Sequence, residues 1–315
     1  VLSDVVGQDE AVGYLRRVVE GQISSPLLLI GEEGTGRKFA VISAVKELVS
    51  KQRGANSSEY VQVEHGVHPD VVVVSAPSDK EIGVDAIRAI VTQSFSYPTS
   101  APYRFFIVDG ADRMTIPAAN AILKTLEEPP AASRFFMLAE SYERVLPTIR
   151  SRCGRVPFQK LSDSFIFERI SRFESDPDKA LVYTRMGEGS VGRAARYWGS
   201  NRIAIRDSVL GLLLAGATGD FSSAFASIDE LSKELPLAFR FLCFLVHDVL
   251  VVRVDPQRAI NQDVLEDLIT MRNRVKDDRW FQLWGVLKTL SERYESSYVN
   301  LSFQLKSAIA AAFCG

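Results

Sequence analysis

Cysteine is scarce in this chain: Cys153, Cys243 and Cys314 lie far apart and form no CxxC pair. That excludes a disulfide framework and a zinc knuckle, and it fits a reducing compartment. Of the 3 histidines, His65 and His68 sit close together but have no cysteine or further histidine beside them. No metal site is therefore expected, and no zinc. His68, followed by Pro69 and Asp70, is read as shaping the turn into the next strand. Long apolar runs are missing as well. The longest, such as Val209 to Ala215, fall well short of the roughly 18 residues that a membrane span needs. The opening VLSDVVGQDEAV lacks a basic segment followed by an apolar core, so no secretory leader is expected. These absences predict a cytoplasmic protein with no membrane partner. Neither sign of charge prevails: 37 basic against 39 acidic residues give a net charge of −2. With no global basic field, contact with nucleic acid needs a local patch or partner chains.

What is present is ordinary globular material, 46% hydrophobic and 24% charged over 315 residues, enough for two or three domains. No internal repeat or low-complexity tract interrupts it, and KQRGANSSE at 51–59 is read as a surface loop inside the first domain. Up to about residue 158, short apolar runs alternate with helical patterns. The runs are Leu27–Ile30, Val71–Val74, Phe105–Val108 and Phe135–Leu138. They lack in/out alternation, which predicts strands buried on both faces of a parallel sheet. Apolar spacings of three and four predict helices over Ala11–Val19, Lys38–Val49, Val84–Phe95 and Ala118–Leu126. This alternation is that of an α/β fold, in which ligands bind beyond the carboxyl ends of the strands. After residue 158 the strand signal fades. Short helices with a turn at GEGSVG (187–192) are followed from Ile203 by long helical patterns. Gly216–Gly219, Pro236 and Pro256 punctuate these, as in a helical bundle.

The stretch GEEGTGRK (31–38) follows the first strand and resembles a phosphate-binding loop until its end. Such a loop reads G-x-x-x-x-G-K-[ST]. Gly31, Gly34, Thr35 and Gly36 keep the shape of a backbone nest for an anion at a helix start. Arg37, however, stands where the point-charge lysine belongs, and Lys38 replaces the metal-binding hydroxyl. An ammonium only donates, so Lys38 cannot ligate magnesium. Asp109 ends an apolar strand in YRFFIVDGAD (103–112), where nucleotide-hydrolysing sheets place their metal carboxylate. A loop with no ligand, and an aspartate that merely ends a strand, are the plain alternatives.

A longer set of motifs carries a resemblance. NAILKTLEEPP (120–130) and RFFMLAESYERVLPTIRSRC (134–153) closely resemble the bacterial DNA polymerase III clamp loader, whose subunits belong to the AAA+ superfamily. VVGQDEAV (5–12), HPDVVVV (68–74), IGVDAIR (82–88) and GSVGRA (189–194) match in the same order, so the resemblance covers about the first 200 residues. Within the family these runs look most like the delta-prime branch, and the helical remainder ending YVNLSFQLKSAIAAAF is similar to its collar. The resemblance implies an α/β AAA+ domain with a five-stranded parallel sheet at 1–158, a helical lid at 159–202 and a helical collar at 203–315. It implies that Arg152, with Ser151 and Cys153 of the SRC motif, projects as an arginine finger into a neighbouring subunit's ATP site.

Other departures from active members accompany those in the loop. Gly110 replaces the glutamate that polarises water, and Glu140-Ser141 occupies the first sensor position. Gly192 stands where active subunits carry the second-sensor arginine, with Arg193 one place later as a doubtful substitute. Together these changes remove the charge neutralisation, metal ligation and water activation that phosphoryl transfer depends on. The reading is a subunit that is not an enzyme by itself and needs no cofactor in cis, with weak or structural ADP or ATP binding left open. Its implied partners are tau/gamma-like ATPase subunits and a delta subunit in a hetero-pentamer, the sliding clamp, and primer–template DNA through the assembled complex. Two other readings stand beside it: a nucleotide-using subunit in which Lys38 shifts register to reach phosphates, and a purely structural ring member. Glu127 and Glu128 are read as ending a helix, Asp277 and Asp278 as starting one, and Trp280 and Trp284 as core or contact residues. Lys80, Arg88, Arg113 and Lys124 are candidates for facing DNA or for plain solvated faces.

Overall fold

The computed structural model describes residues 1–50, 57–76, 80–199, 202–220, 222–224, 231–294 and 301–313. Cys314, segment 51–56 of the expected surface loop, and the 298–300 start of the closing motif lie outside them. The chain divides into two compact units. The first is Val1–Ser162 with Gly189–Gly192; the second is Asp163–Glu188 with Arg193–Gly315. This division differs from the expected boundaries at 158 and 202. The lid and collar are not separated from each other, and the four residues Gly189–Gly192 join the first unit.

In the first unit five parallel strands, β1 (Leu27–Ile30), β2 (Val71–Ser75), β3 (Arg104–Asp109), β4 (Ser133–Ala139) and β5 (Gly154–Pro157), lie in the order β2-β3-β4-β1-β5. Around them run α1 (Asp9–Val19), α2 (Arg37–Ser50), α3 (Ser58–Glu64), α4 (Val84–Ser94), α5 (Ile116–Glu127) and the short α6 (Pro147–Arg150). Successive strand side chains point to opposite faces, so one core holds Leu27, Leu29, Phe105 and Ile107 against α1 and α2. The other holds Leu28, Phe106, Val108 and Met137 against α4 and α5. Two covered faces explain why the strand runs show no alternation. The exception is β2, an edge strand that is only partly buried. At the end of the expected loop Ser58 and Glu59 already belong to α3: Ser57 caps it by accepting from the Tyr60 amide, and Glu59 and Val63 are buried.

The second unit, among the described residues, is helical. Its helices are α7 (Asp163–Ile170), α8 (Pro177–Met186), α9 (Val191–Trp198, which begins in the first unit), α10 (Arg202–Thr218), α11 (Leu235–Val251), α12 (Leu265–Arg274), α13 (Asp277–Tyr294) and α14 (Leu301–Phe313). Pro236 stands in the first turn of α11 and Pro256 opens a short 3-10 turn, as the punctuation suggested. Gly216 is different: α10 runs through it, and the glycine makes room for the Phe313 ring, which a Cβ there would approach to 2.8 Å. The break comes only at Gly219, where φ is +85°. A buried polar knot fixes the bundle. Asp248 accepts from the amides of Ile260 and Asn261 at 2.8 and 2.7 Å, and Arg206 pairs with Asp263 at 2.7 Å. Trp280 is core, edge-on to Phe313. No described helix is long and apolar enough to cross a membrane.

Candidate functional site

The strand order decides what meets at the carboxyl edge of the sheet. Strands β3, β4 and β1 are neighbours, so Asp109, Glu140 and Gly31, which end or follow them, come together there. Gly31 is required at its place, since a Cβ would lie 2.7 Å from Phe158. Gly34 and Gly36 take φ of +78° and +97°, left-handed values that glycine adopts without steric cost. Thr35 is buried and turned inward, its hydroxyl donating to the Glu32 carbonyl at 2.7 Å. The loop thus keeps its nest shape.

Its two cations stand beside carboxylates. The Lys38 ammonium lies 3.3 Å from Asp109 Oδ2, the carboxylate that would otherwise hold a metal. Lys38 is 49% exposed, so the pair is worth only about 0–1 kcal/mol, but it needs no divalent ion. Arg37 is 8% exposed and lies 4.0 Å from Glu140. Burial pushes its guanidinium below the ordinary value, and Glu140, Asp109, Asp112 and Glu33 pull it back up. The carboxylate at the sensor position is thereby held beside an arginine. Its backbone is pinned as well: Asp112 Oδ2 accepts from the amides of Glu140 and Ser141 at 3.1 and 3.2 Å. Gly110 has φ +109°, and a Cβ there would lie 3.2 Å from Arg113 Nε. A glutamate at this position would be strained by the left-handed backbone.

A second closure lies over the loop. Gly192 donates its amide to the Gly34 carbonyl at 3.3 Å, and a Cβ on Gly192 would lie 2.9 Å from Gly34 Cα. Only glycine fits where active relatives are expected to carry arginine. Gly189, tied to Leu161 by a 2.8 Å backbone bond, holds the segment in place. Arg193, in the second unit, pairs with Glu188 at 2.7 Å. Gln8, quoted above only as part of a motif, is a buried fastener. Its side-chain amide donates to the carbonyls of Thr35 and Gln159 and accepts from the Gln159 amide.

Arg152 stands elsewhere. It precedes β5 and shares a cleft with Ser24, Ser25 and Pro26, which precede β1. Because β1 and β5 are parallel and start together, with Leu27 opposite Gly154, this is the amino edge of the sheet. The chain's own phosphate loop is at the carboxyl edge. Ser151 donates its hydroxyl to Thr148 O at 3.1 Å. Cys153 is partly buried, and burial pushes its thiol up to about 12. Glu127 and Glu128 end α5 as expected, but Glu127 also grips Arg152, with 2.8 Å from Nη2 to Oε2. Nothing in the spacing of these two residues announced that pair. Lys80, Arg88, Arg113 and Lys124 are all exposed, Arg88 and Lys124 on the packed helices α4 and α5. His68 shapes its turn, its Nδ1 accepting from the Asp70 amide at 3.1 Å.

Residues 7–162 match the family model described as DNA polymerase III, delta subunit. The chain is 29% identical over 234 residues to the Escherichia coli DNA polymerase III subunit delta', covering 73% of this chain and 70% of that one. It is 30% identical over 173 residues to the Bacillus subtilis delta' subunit, covering 54% and 52%. In fold it is similar to a DNA polymerase III gamma-subunit-related protein of Thermotoga maritima, with a TM-score of 0.50 at 20% identity, covering 96% and 98% of the two chains. On these matches the chain belongs to the DNA polymerase III delta' subunit family.

Proposed function

We propose that this chain is a non-hydrolysing brace in a pentameric clamp loader, and that it donates Arg152 in trans to the ATP of a tau/gamma-like neighbour. The observation that carries the reading is the position of Arg152 at the amino edge of the sheet, opposite its own phosphate loop. From there the guanidinium serves another chain. Set against developing charge on a γ-phosphate, such a finger is worth about 10³–10⁵ in rate. The self-paired loop supports the other half of the reading: Lys38 lies on Asp109 and Arg37 beside Glu140, so a nucleotide would have to displace carboxylates that already face its cations. The chain then needs no nucleotide of its own, and ATP bound next door is what Arg152 senses. Loss of the γ-phosphate removes that contact and lets the ring relax, which couples turnover to clamp opening. Residues 159–202 would form a lid, and 203–315 a collar that joins the ring with a delta subunit. The sliding clamp and primer–template DNA would be met by the assembled complex in the cytoplasm.

The test is DNA- and clamp-stimulated ATPase of a reconstituted loader. Arg152→Ala is expected to cut turnover at least about tenfold, while the double substitution Arg37→Ala/Lys38→Ala leaves it near normal. A failing loop variant beside an active Arg152→Ala would mean that the chain uses nucleotide itself. If both variants are normal, the chain is a structural ring member.

A further inference from the structure

Arg152 does not wave free. Its Nε and Nη2 donate to Glu127 Oε2 at 3.1 and 2.8 Å, and Nη1 donates to the Thr148 carbonyl at 3.1 Å. A guanidinium has five N–H groups. These bonds leave one on Nη2 without a partner and one on Nη1 with only Ser151 Oγ at 3.4 Å. Glu127 thus takes the side edge of the fork, and the end of the fork keeps two N–H groups, the pair that matches two phosphate oxygens. Arg152 is 30% exposed and Glu127 is 60% exposed, so the pair adds little to the stability of the fold.

The placement of Glu127 argues that it serves something other than its helix. It is the last residue of α5, and Glu128 follows as the cap. A carboxylate at a helix C-terminus runs against the helix dipole and is mildly unfavourable there. The compensating partner is Arg152. The rest of its anchorage, Thr148 and Ser151, comes from its own turn. Glu127 is what ties the guanidinium to a separate, rigid element of the sheet domain.

We propose that Glu127 is the positioning residue of the finger: its carboxylate holds Arg152 by the side edge and presents the end of the guanidinium to the neighbour's γ-phosphate. This rests on the trans-finger reading above. A long arginine ordered in advance loses less freedom when it engages phosphate, an advantage of about two- to tenfold for one immobilised side chain.

The test uses the reconstituted loader with wild-type chain, Glu127→Ala, Glu127→Gln, Arg152→Ala and the Glu127→Ala/Arg152→Ala double variant. Glu127→Ala is expected to lower kcat for stimulated ATP turnover about two- to tenfold, with little change in KM and a melting temperature within about 3 °C of wild type. Glu127→Gln, whose amide oxygen still accepts from Nε and Nη2, is expected to retain at least about half of the rate. The double variant should match Arg152→Ala alone, because a positioning residue has no effect once its client is gone. Turnover in Glu127→Ala equal to or above wild type, while Arg152→Ala fails, would overturn the proposal and leave the finger intact. So would Glu127→Gln falling as far as Glu127→Ala. Normal turnover in Arg152→Ala would overturn the finger and the positioning role together.

Discussion

Replacing Asp70 should damage the first unit more than any single change in the phosphate loop. Asp70 opens the turn into β2 and is fully buried. Its Oδ1 accepts from the Thr99 amide at 2.7 Å, and Oδ2 accepts from Ser100 and Ala101 at 2.8 and 3.0 Å. Each hydrogen bond to a charged acceptor contributes about 1.5–3 kcal/mol, but three that share one carboxylate do not add in full. Arg104 Nε lies 4.0 Å away and makes no hydrogen bond of its own. Removing the carboxylate strands three amides and weakens that cation's environment. Asp70→Ala is therefore expected to cost about 3–5 kcal/mol. Asp70→Asn should cost about 1–3 kcal/mol, because the amide oxygen can keep the Ser100 and Ala101 bonds while its NH₂ faces the Thr99 donor.

Urea unfolding followed by hydrogen exchange at Thr99, Ser100 and Ala101 reads this locally, which suits a chain of two units. The pH dependence has a definite sign. Burial alone would raise the Asp70 carboxyl, yet the Ala101, Ser100 and Thr99 amides outweigh it and hold the group below its ordinary range. The stability it contributes is complete above about pH 4 and is lost as pH falls through the lower folded value. The Asp70→Ala deficit should therefore be flat from about pH 7 to 8, grow slightly below about pH 6.5 because Asp70 also favours protonated His68, and shrink only in acid. Burial also lowers the neighbouring His68, so wild-type stability declines additionally below about pH 6.5. A loss in Asp70→Ala below about 1 kcal/mol, or a deficit that vanishes near neutral pH, would refute this account.

Gly192→Ala places a Cβ 2.9 Å from Gly34 Cα. It should cost about 1–3 kcal/mol through overpacking, seen as faster amide exchange across Gly31–Gly36. Gln8→Leu keeps the volume but strands the backbone groups of Gln159 and the Thr35 carbonyl. It should lower unfolding free energy by about 1–3 kcal/mol. Burial pushes the Cys153 and Cys243 thiols up to about 12 and about 11. In the native chain at pH 8 both should react with a disulfide reagent more than about 100-fold slower than free cysteine, whereas unfolded chain reacts at the free rate.

Much of the architecture was legible before any coordinate. Three of the five strands announce themselves because residues buried on both faces must all be apolar, as in Leu27–Ile30 and Phe135–Leu138, and β2 shows by its run of valines although it is an edge strand. Strand β5 escaped because GRVP is an edge strand with half its side chains in solvent. Segment α3 escaped because seven residues are too few to show a period. The family could be read from the ordered motifs, and the phosphate loop from its glycines, since those signals are local: a turn at positive φ needs glycine wherever it occurs.

What the sequence determined by itself is therefore the kind of chain: an α/β domain followed by helices, of the DNA polymerase III clamp loader family, with a loop that departs from the phosphate-binding pattern at Arg37 and Lys38. Only the tertiary structure decided which charges meet. Lys38 with Asp109, Arg37 with Glu140 and Arg152 with Glu127 are pairs between residues far apart in the chain. Charge attracts without direction or register, so no spacing rule selects one carboxylate among 39 acidic residues. The strand order does: it sets β3, β4 and β1 side by side, gathers Asp109, Glu140 and the loop at one edge, and leaves Arg152 at the other.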